Sequence, residues 1–155
     1  MAAAESRAMA TRGEAIVREA GDGDAARIAE LATQLGYAST DAEILSRLVL
    51  IRGRTDASVF VAEQQGDVCG WIMVMSTFSL TGPAGAEIAG LVVDEAVRGQ
   101  GIGKRLAIAA ADWARAQGRA ELRVRSNTIR ESAHRFYERE GFSRIKTQVL
   151  FGKPV

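Results

Sequence analysis

Arg98-Gly99-Gln100-Gly101-Ile102-Gly103-Lys104 carries the first chemistry legible in this chain. Its alternating glycines let backbone N–H groups converge without interference from Cβ. The stretch stands between a strand-like run, Ile88 to Val93, and a helix-like run, Leu106 to Arg115. A helix N-terminus adds N–H groups with no intrahelical partner and a partial positive charge. Arg98 and Lys104 add full charges. Together these make an anion cradle suited to a phosphate or pyrophosphate. Two named phosphate loops do not fit. A Walker loop needs Gly where Arg98 stands and Ser or Thr where Arg105 stands. The dinucleotide fingerprint needs a third Gly where Lys104 or Leu106 stands.

Two other side chains are placed for proton chemistry. Glu87 opens the otherwise apolar strand Ile88 to Val93. Near a buried sheet its pKa would rise toward the operating pH, as a general base needs. The alternative is an exposed strand-end carboxylate. Tyr137 shares a helical face with Ala133, Phe136 and Glu140. It is either a general acid or an amphipathic core residue with its hydroxyl at the surface. Asn127 follows a strand and is either a ligand or a turn residue. His134, the one histidine, is spaced to pair with Glu138 at i+4 and cannot complete a metal shell alone.

The elements that must position these groups follow from periodicity. Glu14 to Glu19 reads as a first strand. Asp22 or Asp24 caps a helix to about Leu35, with Ile28, Leu31, Ala32 and Leu35 inward. Ser39 or Thr40 caps a second helix, with Ile44, Leu45, Leu48 and Ile51 apolar. Strands follow at Ser58 to Glu63, Val68 to Ser79 and Ala86 to Val93, with a hairpin turn at Gln65-Gly66 or Gly66-Asp67. Gly101 to Gln117 is helical, with Leu106, Ala109, Ala110 and Trp113 facing the core. Ala120 to Arg125 alternates as a half-buried strand. Ser132 to Glu140 is a short helix and Arg144 to Phe151 a last strand. This order gives an α/β (α+β) mixed sheet with helices on both faces.

Arg98, Gly101 and Gly103 match Arg-x-x-Gly-x-Gly, and the match has company. Asn127 is followed by Ala133-His134-Arg135-Phe136-Tyr137-Glu138-Arg139-Glu140-Gly141-Phe142, and Glu87 to Val93 precedes the loop. In that order and spacing the chain resembles the GNAT superfamily of acetyl-CoA-dependent N-acetyltransferases. The resemblance implies a mostly antiparallel, six- to seven-stranded mixed sheet in which the central strand and the Ala120 strand splay apart. It implies that acetyl-CoA is the co-substrate. Its pyrophosphate would meet Arg98, Gly99, Gln100, Gly101, Ile102, Gly103 and Lys104. Its thioester carbonyl would meet the backbone of Leu91, Val92 and Val93, and its pantetheine Asn127. It implies Tyr137 as the acid facing the sulfur and, in some members, a Glu at the position of Glu87 as the base. The acceptor wall would be the first two helices and the Gly36-Tyr37-Ala38 connection, with Trp71, Met73 and Phe78 nearby.

Bulk properties narrow the partners. The chain has 155 residues, 47% hydrophobic and 25% charged, with a net charge of +1. That is one domain with a sizeable core and no field favouring nucleic acid. No apolar run reaches the length of a membrane span. The single Cys69 cannot form an internal disulfide and fits a reducing, cytoplasmic setting. No metal site is expected. Residues 1–13 read as a flexible tail and residues 14–155 as a single acetyltransferase domain. The expected reaction is direct acetyl transfer to the primary amine of a small molecule. A protein N-terminus or lysine is the alternative acceptor. A non-catalytic acyl-CoA-binding regulatory module is the alternative from another class. A homodimer is among the expected states. Arg119, Arg123, Arg125, Arg130 and Arg135 make a local basic run that either meets an anion or is a solvated face.

Overall fold

The computed structural model describes residues 13–155. Residues 1–12, most of the expected tail, lie outside the described residues, but Gly13 is fastened. Its carbonyl accepts a bond of 2.9 Å from the Gln64 side-chain amide.

Five strands form one sheet in the order β1-β2-β3-β4-β5. They are β1 (Ile16–Glu19), β2 (Ala57–Gln64), β3 (Asp67–Thr77), β4 (Gly85–Val93) and β5 (Leu122–Val124). Neighbours are antiparallel except β4 and β5, which run parallel. A parallel pair needs a crossover, and the helix after the glycine loop supplies it. Gln65 and Gly66 turn the β2–β3 hairpin, both at positive φ (54° and 84°).

The described residues form four helices: α1 (Ala25–Gln34), α2 (Asp41–Arg52), α3 (Ile102–Ala116) and α4 (Glu131–Arg139). Thr40 caps α2 through a capping box with Glu43: the Thr40 hydroxyl accepts from the Glu43 N–H, and the Glu43 carboxylate accepts from the Thr40 N–H. Ile28, Leu31, Ile44 and Leu48 of α1 and α2 bury against Val59, Val61 and Val92 on one face of the sheet. On the other face, Ile102, Leu106, Ala110 and Ala114 of α3 pack on Ile72, Val74, Ala86 and Ile88. The i, i+4 spacing of those α3 residues makes one apolar stripe. Each fully buried side chain, Leu31 or Leu106 for example, is stabilised by about 1.5–3 kcal/mol on burial.

Three expectations need correction. Leu45 is exposed, because α2 turns Ile44, Leu48 and, in part, Ile51 inward. The strand after Gly118 is limited to Leu122–Val124, the residues that find partners on β4. Arg144 to Phe151 is not a strand, so the sheet has five strands among the described residues rather than six to seven. Its apolar residues are bare, with Leu150 91% and Phe151 88% exposed. Its tie to the body is the Arg144 guanidinium on the Glu138 carboxylate, 2.7 Å. Alternating apolar residues give a segment β propensity, but a strand exists only where a ladder partner lies beside it.

Candidate active site

The anion loop begins in β4 and ends in α3. After Val93, Asp94 caps a short turn, Glu95–Val97, by accepting from the Ala96 N–H. Gly99 and Gly101 then take left-handed backbone, φ 81° and 77°. Only glycine takes that conformation routinely. Their alternation turns successive N–H groups toward a common centre. The first bond of α3 joins the Arg105 N–H to the Gly101 carbonyl, 3.2 Å. The N–H groups of Gly101, Ile102, Gly103 and Lys104 therefore precede the helical ladder and are open to an anion.

Each loop residue has a distinct part. Ile102 is 2% exposed and anchors the head of α3 in the core, so only its backbone can serve a ligand. A Cβ on Gly103 would lie 3.0 Å from the Phe136 ring, so this glycine also lets α4 close against α3. Lys104 is exposed. Arg98 folds back, donating from Nε to the Val93 carbonyl at 3.3 Å. Gln100 accepts from the Gln64 amide at 3.3 Å, which ties the loop to β2.

Asp94 braces the loop from behind, a role the sequence reading missed. Its carboxylate accepts from the Arg27 guanidinium at 2.5 Å and the Gln34 amide at 3.3 Å. Gln34 in turn accepts from the Glu95 N–H at 3.0 Å. The Ala96 N–H, then Gln34 and Arg27, hold the Asp94 carboxyl below the ordinary carboxylate range. It is ionised at neutral pH and pins α1 to the start of the loop. The signal was an Asp at a strand end, two residues before an N–H it can cap.

Beyond the loop, β4 offers a free edge. Its pairing with β5 covers only Ala86–Ile88 against Leu122–Val124. From Ala89 onward that side of β4 has no strand partner among the described residues. The Asp94 N–H bonds the Cys69 carbonyl of β3 at 2.8 Å. N–H direction alternates along a strand, so the N–H groups of Leu91 and Val93 point to the open edge and that of Val92 points to β3. Two preset backbone donors therefore face that open edge.

Tyr137 lies on α4 in edge-to-face contact with Phe136, centroids 5.2 Å apart, and with Phe142 at 5.5 Å. Partial burial raises its pKa above the ordinary 10.0, against a smaller lowering by Arg130. The phenol therefore keeps its proton at neutral pH. Asn127 is held in a turn: its Oδ1 accepts from the Ile129 N–H at 3.2 Å, which leaves its amide NH2 group for a ligand. His134 does not pair with Glu138, which is taken by Arg144. Its Nε2 bonds the Asn127 carbonyl at 2.9 Å, because the helix starts where that carbonyl reaches back. Next to Asn127, the Ser126 hydroxyl is buried with no partner among the described residues. Such a group costs about 1–3 kcal/mol unless something bonds it, which marks Ser126 as a candidate contact that sequence reading passed over.

Glu87 is not an isolated carboxylate. Arg125 Nε bonds both of its oxygens, at 3.1 and 3.2 Å. Among the described residues no group of His, Cys, Asp and Glu is arranged to hold a metal, and no helix is long and apolar enough to cross a membrane.

The sequence model of the acetyltransferase (GNAT) family matches residues 25–142. No curated protein matches this chain by sequence. Solved structures do. An aminoglycoside N-acetyltransferase in complex with CoA superposes with a TM-score of 0.82 at 17% identity, covering 94% of this chain and 99% of that one. Glucosamine-6-phosphate N-acetyltransferase from Arabidopsis thaliana gives 0.74 at 24%, covering 90% and 99%. A transcriptional regulator from Bacillus halodurans gives 0.79 at 22%, covering 90% and 100%. At these identities the likeness concerns the fold.

Proposed function

The chain belongs to the acetyltransferase (GNAT) family, and from that premise we propose that it moves an acetyl group from acetyl-CoA directly to the primary amine of a small molecule. One juxtaposition carries this reading. The left-handed glycine loop follows directly on the unpaired edge of β4, and Gly103 of that loop lies between Val93 and Phe136, the neighbour of Tyr137 on α4. Other features fit the same ligand. The buried Ser126 hydroxyl lacks a partner, and a pantetheine amide would supply one. The loop N–H groups and Lys104 suit a pyrophosphate.

Bound acetyl-CoA supplies an activated thioester carbon. The chain supplies the rest. The N–H groups of Leu91 and Val93 stabilise negative charge growing on the carbonyl oxygen, and they do so without reorganising because the strand fixes them. Glu87, directly or through water, takes a proton from the acceptor ammonium. The amine nitrogen then bonds to the acetyl carbon, the carbon–sulfur bond breaks, the Tyr137 hydroxyl gives its proton to the departing sulfur, and the second proton shed by the nitrogen returns through water to the Tyr137 oxygen, while Glu87 passes its proton to solvent. The products are the N-acetyl amine and CoA.

The first test is binding and turnover together. CoA is expected to bind the full chain in calorimetry and to raise its melting temperature by mass action. Acetyl-CoA plus an amine is expected to release CoA at a rate proportional to enzyme. Binding without release across a broad amine panel would leave an acyl-CoA-binding module. No binding at millimolar CoA would end the reading.

Glu87 has its own test. Glu87→Gln keeps shape but cannot accept a proton. Turnover at neutral pH is expected to fall by roughly a hundredfold, with the CoA dissociation constant kept. A wild-type rate in the variant would assign the proton to water alone.

A further inference from the structure

Glu87 and Arg123 stand side by side on β4 and β5. Their neighbours Ala86, Ile88, Leu122 and Val124 pack toward α3, so Glu87 and Arg123 share the opposite face. Arg125 joins that face through its bonds to Glu87. Met75 is the β3 partner of Glu87 and is 38% exposed, so α1 and α2 do not cover this corner. The result is an open floor of one apolar side chain, one carboxylate and two guanidinium groups.

The charges on this floor are unequally used. Arg123 bonds Glu121 at 2.9 Å. Arg125 engages Glu87 through Nε alone, its side chain is 71% exposed, and its two terminal NH2 groups have no acceptor among the described residues. Four N–H donors of a rigid fork therefore face solvent directly beside the proposed base.

We propose that the acceptor is a small zwitterionic amine, with a carboxylate or phosphonate a few bonds from the reacting nitrogen. This rests on the acetyl-transfer reading above and names its substrate class. A zwitterion exchanges partners at both ends of the Glu87–Arg125 pair. Its ammonium takes Glu87, and its anion takes the fork of Arg125 in the two-pronged geometry guanidinium groups favour. No charge is left unpaired after the exchange, which is what makes it favourable. The same exchange releases Glu87 from Arg125 and turns it to the ammonium whose proton it must take. A neutral-tailed amine gains only half of this. A polycation meets one carboxylate and two guanidinium groups.

The test uses four acceptors of similar length with the full-length enzyme and acetyl-CoA: 3-aminopropanoate, 2-aminoethylphosphonate, propylamine and 1,3-diaminopropane. Released CoA gives kcat/KM for each. The two anionic amines are expected to exceed propylamine by roughly tenfold or more, with the diamine lowest. The advantage should shrink as salt rises, because the floor is open to solvent. Arg125→Met is expected to bring the ratio of 3-aminopropanoate to propylamine close to one, chiefly through KM, and Arg125→Lys to restore part of it. A wild-type enzyme that prefers propylamine or the diamine overturns the proposal, as does an Arg125→Met variant that keeps the preference. If CoA binds but no amine releases it, the transfer reading fails separately. Calorimetry of 3-aminopropanoate and propylamine on the CoA-loaded protein then decides the surface: tighter 3-aminopropanoate supports it, and equal or absent binding refutes it.

Discussion

Tyr137→Phe is expected to lower kcat by about a hundred- to ten-thousand-fold while the KM for acetyl-CoA changes little. The reason is geometric. The Tyr137 ring is held edge-on by Phe136 and Phe142, so phenylalanine keeps the packing and removes only the hydroxyl. Burial holds the phenol pKa above its ordinary 10.0. The acid is therefore loaded at every pH where the amine reacts, and an alkaline limb due to Tyr137 should appear only above about pH 10. The loss should shrink with an acyl donor whose thiol is more acidic, since such a thiolate departs with less help. Steady-state kinetics with both donors reads this out. A wild-type rate with the natural thioester would leave Tyr137 as packing between Phe136 and Phe142.

Gly101→Val is expected to weaken CoA binding by about a hundredfold or more, or roughly 2.7 kcal/mol, while the protein still folds. No protein atom lies within 4 Å of a Cβ built at this position, so the volume itself disturbs nothing in the free protein. The backbone, at φ 77°, does object to a branched side chain, at a cost of about 1–3 kcal/mol. In a domain of this size that lowers the melting temperature by several degrees. The larger loss comes from the ligand, because the valine fills the space where phosphate oxygens meet the N–H groups. Gly103→Ala is the contrast. Its Cβ would press on the Phe136 ring at 3.0 Å, so that variant disturbs the seating of α4 before any ligand arrives. Calorimetry with CoA and thermal melts on the two variants separate these causes. A folded Gly101→Val protein with wild-type affinity would reduce the loop to a turn.

Several features were legible in the residues because they are local. The glycine spacing fixes where the backbone can turn left-handed, and the apolar spacing of Leu106 and Ala110 fixes which side of α3 is buried. The Thr40–Glu43 box is written in two residues three apart. The strand order up to Val124 follows from short turns and one helical crossover. Other features depend on which distant segments meet. Nothing near Glu87 in the chain announces Arg125, because the two are joined by the parallel pairing of β4 with β5 across the whole of α3. Asp94 reads as a turn residue until α1 brings Arg27 and Gln34 to it. Gly103 reads as a third loop glycine until α4 lays Phe136 against it. The alternation in Arg144 to Phe151 describes a strand, yet pairing is a relation between two segments, and none of the described residues pairs with it. Sequence by itself thus determined most elements up to Val124 and the glycine loop, since these depend on backbone preference and periodicity over a few residues, and its motif resemblance singled out Tyr137 and Asn127. Tertiary structure decided which N–H groups face the open edge of β4, which carboxylate is paired and which hydroxyl is left without a partner, since each of these is set by contacts between residues far apart in the chain.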